Sequence, residues 1–151
     1  MKNVLWAVAA LSMLTLAACG NDDGENNNTN NNNNNTGCNL GVQATFMSIH
    51  DTVLTDTSAP KGCAQATCHG ASAFGGLNFT LGADEVYRQL TEDAVMNGTA
   101  TVTKRVDTTK ESSYLYLRLD SGEMPPGGLD ATCASEIKQA VGGWIDGGGA
   151  R

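Results

Sequence analysis

Cys63-Ala64-Gln65-Ala66-Thr67-Cys68-His69-Gly70 is the stretch on which the reading of the whole chain turns. Two thiols followed directly by an imidazole are the parts needed to hold a porphyrin covalently. The sulfurs form thioethers with its vinyl groups, and the adjoining His is the proximal iron ligand. The usual spacing puts two residues between the cysteines, which fits one helical turn; this chain has four. The two extra residues must bulge outward if both sulfurs are to reach the same porphyrin. The same side chains also admit other chemistry. Cys63 and Cys68 are close enough for a local disulfide in an exported domain, with His69 then a surface residue. A zinc site would need a fourth ligand from Cys38, Cys133, His50 or an acid, in a compartment that disfavours free thiolates.

Toward the N-terminus, Lys2 and the apolar run Val4–Ala18 read as a signal peptide over residues 1–18, since the run is shorter than the roughly 20 residues that span a bilayer. Leu16-Ala17-Ala18-Cys19-Gly20 resembles a bacterial lipobox. That resemblance implies lipidation of Cys19, a membrane anchor there, and, with Gly rather than Asp following, sorting to the outer membrane on its periplasmic or surface face. Residues 19–37 are dominated by Asn, Asp, Gly, Glu and Thr, which bury too little to offset the entropy of ordering; they read as a tether.

The remaining stretch, 38–151, is about 115 residues and fits one domain with a modest core. Against 16 Asp and Glu there are 9 Lys and Arg, a net charge of −7, which argues against a nucleic-acid partner and allows a basic redox partner. With Cys19 given to lipid, Cys38, Cys63, Cys68 and Cys133 remain, and four cysteines allow three disulfide pairings. If Cys63 and Cys68 hold haem, a Cys38–Cys133 bridge is what is left.

Apolar spacing predicts an amphipathic helix over Gln43–Leu54, with Phe46, Ile49 and Val53 on its inner face. His50 on that helix reads as a boundary or partly buried residue, with an axial-ligand role as the sharper alternative. Pro60, Lys61 and Gly62 break the chain before Cys63. A short helix is expected from Ala83 to Glu92, capped by Asp84, with Val86, Tyr87 and Leu90 inward. Asn97–Val106 reads as a small strand or extended loop. Ser112 and Ser113 are expected to cap a helix through Leu119, and Pro125-Pro126 force a loop. The last helix begins near Thr132, carries Ile137, Val141, Trp144 and Ile145 on one face, and stops at Gly147–Gly149. The acids Glu92 with Asp93, and Asp84 with Glu85, read as solvated helix charges. No nucleophile with its base and no phosphate loop is present in the sequence, so an enzyme is not expected.

Taken in order, Cys63-x4-Cys68-His69-Gly70, Gly75-Gly76-Leu77, Ser113-Tyr114-Leu115, Met124-Pro125-Pro126 and Trp144-Ile145-Asp146-Gly147-Gly148 resemble the cytochrome c-like domains of planctomycete and myxobacterial exported proteins. The likeness spans Phe46 to Arg151. It implies a mostly α, cytochrome c-like single domain of short helices with Gly- and Pro-rich loops. It also implies one covalent haem c per chain, with thioethers at Cys63 and Cys68, His69 as proximal ligand and Met124 as distal ligand. With only 5% aromatic residues, such a domain would gain apolar area from a porphyrin. The expected function is one-electron transfer in the cell envelope with a redox partner protein. The alternative is a haem-free, disulfide-stabilised envelope lipoprotein acting as a structural or binding module.

Overall fold

The computed structural model describes residues 39–58, 62–96, 100–129 and 131–151. The expected signal segment, Cys19, the Asn-rich tract, Cys38, Pro60 and Lys61 lie outside these.

Among the described residues four α-helices form the fold: α1 (Phe46–Ile49), α2 (Ala83–Thr91), α3 (Tyr114–Asp120) and α4 (Ala131–Asp146). The first begins later than Gln43 because Thr45 caps it, its hydroxyl accepting from the Ser48 amide. The Ser48 hydroxyl in turn accepts from the Gln43 amide at 2.8 Å. The same chain direction continues through His50–Leu54, where the bonds widen to π spacing and Thr55 donates to the His50 carbonyl at 3.0 Å. Phe46, Ile49, Val53 and Leu54 are buried, whereas Met47 is exposed.

Helix α2 matches its expected span, but its N-cap is Gly82 and Asp84 lies inside the first turn. Residues 97–99 of the expected strand lie outside the described residues; the rest is loop, joined by one antiparallel bridge between Ala94 and Lys104. Ser113 stands at the N-cap of α3, yet its side chain serves the preceding loop. It accepts from the Asp107 amide at 2.8 Å and donates to the Thr109 carbonyl at 2.7 Å. The expected inner face of α4 is correct at every position, with Ile137, Val141, Trp144 and Ile145 all buried. Glycines then close it, Gly147 donating to Gly143 and Gly148 to Ile145.

The protein is thus mostly helical, with short elements set around Phe46. Its ring is fully buried and meets Tyr87 edge-on at 5.1 Å and Trp144 at 5.7 Å. Both ends of the domain are tied to this cluster. Leu40 and Val42 donate to the Glu136 carboxylate on α4, each at 3.1 Å. At the C-terminus, Trp144 donates to the Ala150 carbonyl and Tyr87 to that of Gly149. Among the described residues no helix is long and apolar enough to cross a membrane.

Candidate functional site

The segment from Gly62 to Gly70 is wound into tight turns rather than a regular helix. Ala64 donates to the Asp56 carbonyl, Cys68 and Gly70 both donate to that of Gln65, and His69 donates to that of Cys63 at 3.3 Å. Ala64 is buried, and Ala66 and Thr67 face outward, so the extra length between the cysteines is taken up at the surface. Gly70 makes this winding possible: a Cβ there would come within 2.6 Å of the Ala64 carbonyl oxygen.

Cys63 is a free thiol packed against the core. Burial, aided by the Asp56 carboxylate, pushes its pKa up to about 12, so it is fully protonated at neutral pH. Cys68 and Cys133 are each disulfide-bonded. A local Cys63–Cys68 bridge is therefore not formed. Cys38, the partner expected for Cys133, lies outside the described residues. A thioether at Cys68 would require its disulfide to be opened first.

His69 is half-buried against Phe79, with ring centroids 5.0 Å apart. Its Nδ1 lies 2.9 Å from the Phe74 carbonyl oxygen. A carbonyl can only accept, so Nδ1 carries the proton and Nε2 holds the lone pair in the neutral ring. A histidine that ligates a metal is typically oriented in this way, through its other nitrogen. Burial lowers the His69 pKa and the nearby Arg105 adds to that, against a partial rise from the Phe74 and Leu77 carbonyls. Around the ring, Phe79 donates to the His69 carbonyl at 2.6 Å and Asn78 to the buried Gln89 side chain at 2.9 Å, so α2 supports the loop.

Met124 lies on the turn after α3, its amide donating to the Arg118 carbonyl at 3.1 Å. The peptide to Pro125 is cis. Cys63, Cys68 and His69 thus lie on one loop and Met124 on another. His50 is more deeply buried than the sequence suggests. Its Nδ1 is 2.7 Å from Asp51, it packs on Phe46 at 5.6 Å, and its Nε2 has no hydrogen-bond partner.

Among the described residues no three His, Cys, Asp or Glu side chains are grouped to hold a metal ion. The acids Glu85 and Asp93 are not merely solvated: Arg88 bridges them, with bonds of 2.7 Å to each. A groove of about 570 Å³ lies elsewhere, between Lys110, Tyr116 and α4, and is lined by none of the cysteines, His69 or Met124. Its lysine at 110 is already paired with Asp146 at 2.6 Å. Arg105, buried beside the His69 loop, went unflagged in the sequence, where a single arginine outside any periodic element carries no signal of burial.

No protein-family model, curated protein or solved structure matches this chain.

Proposed function

We propose that this protein is a cytochrome c-like, haem-binding electron carrier of the cell envelope, held at the membrane through a lipid on Cys19. The observation that carries the reading is His69, whose Nδ1 lies 2.9 Å from the Phe74 carbonyl oxygen and so fixes the ring, on the loop that also bears the free Cys63 thiol. Cys63 and Cys68 would form the thioethers, Cys68 after an external thiol reductant has opened its disulfide, and His69 and Met124 would hold the iron. Haem, when bound, supplies a single iron that alternates between ferrous and ferric states, so one electron moves without any bond being made in a substrate. The chain's own part is to fix the imidazole, shield it with Phe79 and keep the Cys63 thiol protonated and unreactive until it is used.

A haem-free reading is favoured by one observation: Cys68 is disulfide-bonded. In that reading the disulfide bonding of Cys68 and Cys133 staples a structural or binding module, and Cys63 is a partly buried packing residue. Replacement of His69 by Ala separates the two. A carrier loses its iron absorbance on this change, whereas a stapled module has none to lose and keeps its thermal stability to within about 1 kcal/mol, as a half-exposed polar residue should.

A further inference from the structure

We infer that Arg105 is a positioning residue for His69, acting through the turn Phe74–Gly76. The side chain of Arg105 is 4% exposed. Its Nη1 donates to the Gln89 carbonyl in α2 at 2.7 Å, and its Nη2 donates to the Gly75 carbonyl at 2.8 Å. Asp93 provides the counter-charge at 3.6 Å, and the Arg105 carbonyl accepts from the Leu115 amide in α3 at 2.9 Å. One guanidinium therefore fastens the His69 loop to α2, while the backbone of the same residue is fastened to α3.

The turn has need of such a fastener. Ala73, Gly75 and Gly76 all have positive φ (46°, 66° and 73°) and Phe74 is 62% exposed, so its own side chains do little to hold it beyond the short backbone bonds of Phe74 to Cys68, Gly76 to Ala73 and Leu77 to Phe74. Phe74 supplies the carbonyl that sets the His69 ring, and Gly75, the next residue, supplies the carbonyl that Arg105 holds. The approach is close: a Cβ on Gly76 would fall 3.1 Å from Nη2 and 2.5 Å from the Met96 sulfur. Release of the guanidinium leaves the Gly75 carbonyl unheld, and the neighbouring Phe74 carbonyl is then fixed only by the weak 3.3 Å bond from the Leu77 amide, so its aim at the ring loosens. That this aim serves an iron ligand rests on the function proposed above; that Arg105 sets the ring does not.

The test uses the full chain made without haem attachment, and nitrogen-resolved NMR of the imidazole rings at about pH 8, above the ordinary histidine range. Wild type is expected to show His69 as a single Nδ1–H tautomer, with His50 as an internal reference. In Arg105→Gln and Arg105→Lys that remain folded by circular dichroism, the His69 ring is expected to become a tautomer mixture. Its N–H should then exchange with water at least ten-fold faster, while His50 stays as it was. An unchanged His69 signature in a folded Arg105→Gln protein overturns the inference. Should both Arg105 variants fail to fold, the wild-type chain decides: the Arg105 Nη–H protons are expected to be protected from exchange together with the His69 N–H, and a His69 ring fixed in one tautomer beside freely exchanging Arg105 Nη–H protons overturns the inference. A wild-type chain with a fixed His69 tautomer that never takes up haem would refute the electron-carrier reading and leave the role of Arg105 standing.

Discussion

At Cys63 the structure makes a direct chemical prediction. A thiol held near pKa 12 by burial and by Asp56 has almost no thiolate at neutral pH, and the thiolate is the reactive form. Alkylation of the native haem-free protein at Cys63 should be on the order of a hundred-fold slower than in denaturant. In denaturant without reductant Cys63 should label, whereas Cys68 and Cys133 should label only after reduction. Peptide mass spectrometry reads all three; rapid native labelling of Cys63, or labelling of Cys68 without reductant, would contradict the structure. At this scale the sequence disclosed His69 and its thiols because their chemistry depends on residue type and spacing. It could not disclose the oxidation state of Cys68, which depends on which sulfurs the fold brings together. Nor could it disclose Arg105, whose role arises only where α2, α3 and the Gly75 turn meet.

Among the elements, α2 is where charge and stability are coupled. The Glu85 carboxylate is held down to about 2, chiefly by the Arg88 side chain and then by Gln89. A carboxylate whose folded pKa is depressed contributes stability that is present above its unfolded value and is lost as pH falls toward the folded one. Urea melts of wild type and Glu85→Gln should therefore differ by a constant amount above about pH 5 and converge as pH falls from about 4.5 toward 2. The difference should also shrink in high salt, because the pair is exposed. A gap that persists at pH 2 would mean that Glu85 acts through packing instead. Helices α2 and α4 were legible because their apolar faces repeat at helical period and glycine marks the end of α4. The π turn at His50–Leu54 was not, since widening the bond spacing leaves the apolar residues Val53 and Leu54 inward and so leaves no trace in the pattern. Ser113 misled in a different way, its hydroxyl being drawn to the Asp107–Thr109 loop instead of the helix it precedes.

For the molecule as a whole, Phe46 is the point on which the short elements converge. Its replacement by Ala should cost about 3–5 kcal/mol, read as a lowered urea midpoint, because the ring contacts Tyr87, Trp144 and His50 at once. Loss of the Tyr87 hydroxyl in Tyr87→Phe should cost only about 1 kcal/mol, since one hydrogen bond to the Gly149 carbonyl goes while the ring packing stays. A ratio near one between these two losses would mean that the aromatic cluster is not the centre of the core. The overall helical character followed from periodicity, and the loop that bears Met124 followed from Pro125-Pro126. The central claim concerns the iron. It is tested most directly by a reduced-minus-oxidised visible spectrum, with a haem stain of the denatured chain, on protein exported beside a competent haem-ligation system. The account predicts a covalent haem band that vanishes in the Cys63→Ala, Cys68→Ala double variant; a colourless wild-type protein, with Cys63 free and Cys68 still disulfide-bonded, would contradict it.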